Sequence, residues 1–262
     1  MIDEGTESGL RFSVLGSSSS GNSTFVTDGR NSVLIDAGLP VRYTVGQLEK
    51  LNGHADIDAI FVSHEHSDHV RNLFPLARRF GCPVYVSEPV SFALGRERHG
   101  TILNLKDRNT VRIGDMDIMP FVVPHDALEP YGFVVRSGSS SLGIVTDLGG
   151  ADPDILDTLN NLTGLVIESN YDRDMLLKGP YPYPLKRRIA EGNGHLSNSQ
   201  CRQLLERVIG PKTREVVLAH LSEENNDPLI AVRESSPVVR KGSPSCRLHL
   251  SYPRVATPLL RL

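Results

Sequence analysis

Apolar residues in this chain fall into short β-branched runs that stop abruptly at a polar side chain. Val33-Leu34-Ile35 runs into Asp36, Phe121-Val122-Val123-Pro124 into His125, Gly143-Ile144-Val145-Thr146 into Asp147, and Val216-Val217-Leu218-Ala219 into His220. Each run is too short and too uniformly apolar for a surface helix, and Val and Ile favour strands of a sheet buried on both faces. Two further strands, Phe12-Ser13-Val14-Leu15 and Thr24-Phe25-Val26, flank a serine-rich segment. Helical spacing of Val70, Leu73, Phe74, Ala77 and Phe80 predicts a helix beginning near His69. Leu204, Leu205 and Val208 predict another that starts at Ser197 or Asn198. The Phe74 to Leu76 face and Met175-Leu176-Leu177 read as core. Beyond Arg233 the pattern thins: Pro237, Gly242, Pro244 and Pro258 punctuate short alternating stretches such as Cys246-Arg247-Leu248-His249-Leu250, which predict a closing hairpin or edge strands. The whole reads as one α/β domain over residues 1–262.

Candidate chemistry sharpens this picture at one place. His64-Glu65-His66-Ser67-Asp68-His69 follows directly on Ala59-Ile60-Phe61-Val62 and crowds three imidazoles among carboxylates. Imidazole and carboxylate together suit zinc or another first-row divalent ion, and a structural zinc module would use thiolate. Asp68 also fits a helix N-cap, but capping gives three neighbouring histidines no role, and they would repel one another if protonated. His69 lies five residues beyond His64, so the spacing of a His-Glu-x-x-His helix fails and Glu65 is not its general base. Ligands at strand ends gather at one sheet edge. Seven donors, His64, His66, Asp68, His69, His125, Asp147 and His220, suffice for two divalent ions sharing one carboxylate, with zinc and manganese both acceptable.

Composition bounds the function classes. With 262 residues, 39% of them hydrophobic, the chain can bury a large core. The start, Met1 to Glu7, is acidic and polar without an apolar segment behind it, and no run approaches membrane-spanning length, so the expectation is a cytoplasmic protein with no membrane partner. Cys82, Cys201 and Cys246 are odd in number and far apart, which fits a reducing compartment and ordinary burial. His54, His99 and His249 read as structural or solvent-facing. A net charge of -3 argues against wholesale nucleic-acid binding. Locally, however, the segment from Lys178 through Tyr181 and Tyr183 to Lys186, Arg187 and Arg188 interleaves cations with aromatic rings, which suits either a strand-binding surface or a proline-stiffened loop leading into a solvated helix.

The order His-x-His-x-Asp-His, followed by His, Asp and His at strand ends, resembles the metallo-β-lactamase superfamily. That resemblance implies an αββα sandwich of two mixed sheets with a binuclear site along one edge. It implies that His64, His66 and His125 hold one ion, Asp68, His69 and His220 the other, and that Asp147 bridges them. Asp36 matches a structural aspartate that braces the ligand loop. Gly16 to Ser23, Glu168-Ser169-Asn170, Tyr181 to Lys186, Gly194 to Asn198 and Ala219 to Asn226 further resemble the WalJ/YycJ (VicX) group of bacterial nucleases. The group implies a 5′-to-3′ DNA exonuclease linked to mismatch repair. Tyr171 stands where this group leads one to expect histidine.

On this reading Asp68 and Asp147 orient the attacking water and His195 protonates the departing oxygen, or else acts behind the ligands. Ser18, Asn22, Lys178, Tyr181, Lys186 and Arg187 are the candidate substrate contacts, with DNA, as a single strand or duplex end, the expected partner and RNA a possible one. A ribonuclease Z type enzyme shares every ligand, as does a small-molecule zinc hydrolase of the thioesterase or lactamase kind. Larger RNA nucleases of the superfamily carry an inserted domain, for which there is no room between Asp147 and His220. A regulatory scaffold with a decayed site predicts missing ligands, whereas all seven positions are filled. The sequence leaves oligomeric state open.

Overall fold

The computed structural model describes residues 9–95, 101–191 and 193–262; His99 and the acidic start lie outside them. Its first half runs β1 (Arg11–Gly16), β2 (Ser23–Thr27), β3 (Ser32–Ile35), α1 (Val41–Asn52), β4 (Ala59–Phe61), α2 (Ser67–Val70), α3 (Leu73–Phe80), β5 (Val84–Ser87), α4 (Glu88–Leu94) and β6 (Ile102–Leu105). The second half follows with β7 (Val111–Ile113), β8 (Met116–Val122), β9 (Tyr131–Ser137), β10 (Ser140–Val145), α5 (Pro153–Leu159), β11 (Gly164–Glu168), α6 (Arg173–Lys178), α7 (Tyr183–Ala190), α8 (Asn198–Val208), β12 (Glu215–Ala219), α9 (Pro228–Gly242), β13 (Arg247–Leu250) and β14 (Leu260–Arg261).

Two sheets result, ordered β14-β1-β2-β3-β4-β5-β6 and β13-β12-β11-β10-β9-β8-β7. Each is mixed in the same way. In the first, antiparallel pairing from β14 to β3 gives way to parallel pairing from β3 to β6. In the second, β7 to β10 are antiparallel and β10 to β13 parallel. Uniformly apolar strands follow from burial on both faces. Val166 of β11 packs with Phe12, Phe61 and Phe133 between the sheets. Its neighbours Leu165 and Ile167 face the other way, against Ile155, Leu204, Leu205 and Val239 of α5, α8 and α9. A third core joins Leu34 and Ile60 to Leu48, Leu73 and Leu76 beneath α1 and α3. The result is an α/β sandwich layered αββα.

The structure revises three expectations. The helix near His69 is two helices, α2 and α3, broken at Arg71 and Asn72, and Asp68 sits inside the first turn after His66, where it makes no cap bond. The tail contains helix α9, which runs through Pro237. Asp227 caps it by accepting from the Leu229 amide at 2.8 Å, and Ala231, Ser235 and Val239 share its buried face. A mid-helix proline removes one backbone bond and usually kinks or ends a helix, which is why Pro237 misleads. The strands that follow are edge strands, one on each sheet, and they do not form a hairpin: β13 joins β12 and β14 joins β1. Third, Leu177 is 62% exposed, so only Leu176 of the Met175 to Leu177 run is core. Among the described residues no helix is long and apolar enough to cross a membrane.

Candidate metal centre

Parallel strands of both sheets end at the same rim. β3 delivers Asp36, β4 Ser63 and His64, β10 Asp147, β11 Glu168 and β12 His220, while the stretch after β8 supplies His125. Asp36 and His220 take left-handed backbone angles, with φ of 64° and 53°. Such angles cost a non-glycine residue about 1–3 kcal/mol and persist only where surroundings enforce them. Here the Asp36 carbonyl accepts from the Ser23 hydroxyl at 2.9 Å. The His220 amide donates to Ser17 Oγ at 2.9 Å, and its carbonyl accepts from Asn170 Nδ2 at 2.7 Å.

The seven predicted donors come together. Ligand atoms of His64, His66 and His125 lie within 4.8 Å of one another, as do those of Asp68, His69 and His220. Asp147 stands between the sets, with Oδ2 3.0 Å from His69 Nε2 and Oδ1 3.6 Å from His125 Nε2. Four of the imidazoles are fixed by what their far nitrogen touches. His69 Nδ1 faces Asp36 Oδ2 at 2.8 Å, His125 Nδ1 the Gly194 carbonyl at 3.0 Å, and His220 Nδ1 Glu168 Oε1 at 3.0 Å. Ser63 Oγ donates to Asp36 and lies 2.9 Å from His64 Nδ1. These contacts place N–H on Nδ1 and leave the Nε2 lone pairs of His64, His69, His125 and His220 turned towards the cluster.

Electrostatics match a cation site. Burial first, then the neighbouring His69, keeps His64 well below the usual imidazole range, so it stays a neutral donor. Burial opposes charge on His69 and His220, yet Asp147 and the other carboxylates outweigh it and raise both. These carboxylates therefore demand positive charge at this spot, from protons or from metal. His220 Nε2 and Asp147 Oδ2 are buried and make no hydrogen bond. Two such acceptors, aimed into one set of nitrogen and oxygen donors without thiolate, fit a divalent metal centre.

Glu168 is the residue that sequence reading placed in a motif but gave no role. It is 0% exposed, and its Oε2 accepts from the amides of Leu148 at 3.1 Å and Leu196 at 2.8 Å. Its Oε1 faces the Nδ1 atoms of both His220 and His195, the latter at 2.7 Å. With its oxygens so occupied, Glu168 braces His195 and His220, and its carboxylate also lies within 4.8 Å of the ligand atoms of Asp147, His195 and His220. A signal existed: β11 also ends abruptly in a carboxylate, like the runs that flagged Asp36 and Asp147.

A cleft of about 340 Å³ opens over the cluster, lined by Ser19, His66, Asp68, Asp147, His195 and His220 on one side and by Tyr181, Leu185, Arg188 and Ile189 on the other. The candidate substrate contacts divide here. Tyr181 lines the cleft. Ser18 is fully buried with its hydroxyl 2.7 Å from Ser20, and Ser19 takes the exposed position. Asn22 is buried and serves the ligands: its Nδ2 lies 3.0 Å from both Asp68 Oδ2 and His69 Nε2, and its Oδ1 accepts from Ser17 at 2.7 Å. Lys186 Nζ donates to the Leu177 carbonyl at 2.8 Å, Arg187 pairs with Glu191, and Lys178 with Asp174 at 3.5 Å, so none of the three reaches the cleft. Tyr171 is buried, and its carbonyl accepts from the Asn198 amide at 2.8 Å. It also pairs with Ser197 through an isolated β-bridge.

The comparisons agree with this geometry. The model of the Metallo-beta-lactamase superfamily matches residues 18–220. Exodeoxyribonuclease WalJ of Streptococcus pneumoniae is 34% identical over 228 residues, spanning 84% of this chain and 85% of that protein. Exodeoxyribonuclease YycJ of Bacillus anthracis is 34% identical over 240 residues, spanning 89% and 90%. Among solved structures, the metallo-beta-lactamase fold protein YhfI from Bacillus subtilis superposes with a TM-score of 0.71 at 17% identity over 95% of this chain and 99% of its own. Zn(2+)-bound PqqB from Methylobacterium extorquens gives 0.73 at 15%, over 94% and 99%. At such identities these two speak for the fold alone. Strand order, the rim of histidines and carboxylates, and a family match from residue 18 to residue 220 lead to one statement: this chain belongs to the metallo-β-lactamase superfamily.

Proposed function

We propose that the protein is a binuclear metal-dependent phosphodiesterase that degrades DNA from an end, in the 5′-to-3′ direction, and serves repair. The observation that carries this reading is the complete donor rim beneath a cleft, in a chain 34% identical over most of its length to exodeoxyribonucleases. His64, His66 and His125 would hold one divalent ion, Asp68, His69 and His220 the second, and Asp147 both. Zinc or manganese bound there would lower the pKa of water and stabilise charge on a phosphoryl oxygen.

The chain's own residues do the rest. Asp68 and Asp147 accept hydrogen bonds from the attacking water and so set its direction. Asn22 holds Asp68 in place, and Asp36 with Ser63 fixes His64 and His69. His195 lines the cleft with Nδ1 engaged by Glu168, which leaves Nε2 to hand a proton to the departing oxygen. Burial alone would lower the His195 pKa, but the Glu168 carboxylate outweighs it and raises it, which keeps the proton available.

Two measurements check this. Metal-stripped protein, given manganese or zinc, is incubated in parallel with end-labelled DNA, RNA and a thioester. Progressive loss of the DNA label with the others cut slowly is expected; hydrolysis of the thioester alone rejects the reading. His195→Ala should cut oligonucleotides about 100-fold more slowly. An ester with p-nitrophenolate as leaving group, which needs no proton, should lose far less, and equal losses on both would remove His195 from the acid role.

A further inference from the structure

The notable property of the cleft is how little positive charge the protein itself brings to it. Its lining contains Asp68, Asp126 and Asp147, and among the described residues Arg188 is its one lysine or arginine. The neighbouring cations are committed elsewhere, Lys186 to a backbone carbonyl and Arg187 to Glu191. Arg188 bonds to Asp126 through Nε alone. A guanidinium carries five N–H donors, so the edge formed by its two Nη groups is left without a partner among the described residues. That edge is the part that grips a phosphate through two parallel bonds. The side chain is 59% exposed and belongs to a helix with no buried residues, so little holds it where it is except Asp126. Leu185 and Ile189 share its face of α7, and together with Tyr181 they make an apolar wall beside it.

Resting on the nuclease reading above, we infer that Arg188 is the specificity residue of the site: it binds a non-bridging oxygen pair on a phosphate of a single DNA strand. Asp126 parks the guanidinium until a strand enters, and the wall of Tyr181, Leu185 and Ile189 receives the base attached to that phosphate. A volume of about 340 Å³ is of the size of one nucleotide unit. The contact selects for polynucleotide over small esters, because a small ester offers no second phosphate for the fork to hold.

The test is equilibrium binding of a fluorescent single-stranded phosphorothioate oligonucleotide, which resists cleavage, across a series of salt concentrations. Arg188→Ala should weaken binding about tenfold and reduce the slope of log affinity against log salt by about 0.7, the value for one phosphate on a single strand. Arg188→Lys should restore the slope but only part of the affinity, since a point charge replaces the fork. Arg112→Ala removes an equally exposed cation on β7, far along the second sheet, and should change neither. Arg188→Ala with the affinity and slope of the unaltered protein overturns the assignment while the nuclease reading stands. Failure of the unaltered protein to bind any DNA, with thioester hydrolysis intact, overturns both.

Discussion

Asp147→Ala is expected to lower phosphodiester hydrolysis by about ten-thousand-fold while leaving the protein folded. The carboxylate stands between two sets of donors, 3.0 Å from His69 Nε2 on one side and 3.6 Å from His125 Nε2 on the other, so its loss removes the one group both ions would share. Metal assistance is worth several kcal/mol of transition-state stabilisation, and every 1.36 kcal/mol is a factor of ten. Folding should survive, since Oδ2 makes no hydrogen bond and Asp36 and Glu168 still engage the Nδ1 atoms of His69 and His220. Elemental analysis should find metal content reduced from two ions per chain, and the melting temperature of the stripped protein should scarcely change. A variant with full metal and an unaltered rate would refute the bridging role.

Glu168→Ala should act on stability and activity together. It leaves the Leu148 and Leu196 amides and two imidazole N–H groups without their acceptor, all but that of His195 in the interior. Buried donors left unpaired cost about 1–3 kcal/mol each, and partial relaxation brings the expected total to about 4 kcal/mol. At about 2–4 °C per kcal/mol for a chain of this size, the melting temperature falls by about 10 °C. Metal affinity should drop about 10- to 100-fold, as when a partner behind a ligating histidine is lost. Acidification should mimic the effect. Burial raises the Glu168 pKa, but His195 and His220 outweigh it and hold the carboxyl below its usual value. Its contribution is therefore full above an unfolded value of about 4.3 and is lost as pH falls through the lowered folded one. Calorimetry of variant and parent at neutral and acid pH would show the gap narrowing; a constant gap would deny the linkage.

The convergence of the donors is legible because their information is local: a dense cluster after one strand, and single donors ending other strands. Buried strands could likewise be read from uniform Val, Ile and Leu, since both faces are covered. What escaped depends on distance or on phase. Glu168 becomes a brace only because β11 lies beside β12 and under the His195 loop, which no short segment encodes. Sequence does not separate Lys186 and Arg187 from Arg188, because a run of cations looks alike, whereas one step along a helix turns a side chain by about 100°. Leu185, Arg188 and Ile189 are spaced three and four apart, and that spacing decides which cation meets the cleft. Helix α9 was hidden by Pro237, although Ala231, Ser235 and Val239 carried its period.

Four of the donors occur between residues 64 and 69, but His220 arrives only with the end of β12, after both sheets are largely made. A chain still emerging from the ribosome, or one cut short before the end of β12, can hold up to six of these side chains but not the finished set. Timing of this kind would keep the proposed nuclease inert during its own synthesis. Completion of β12 is thereby the arming step.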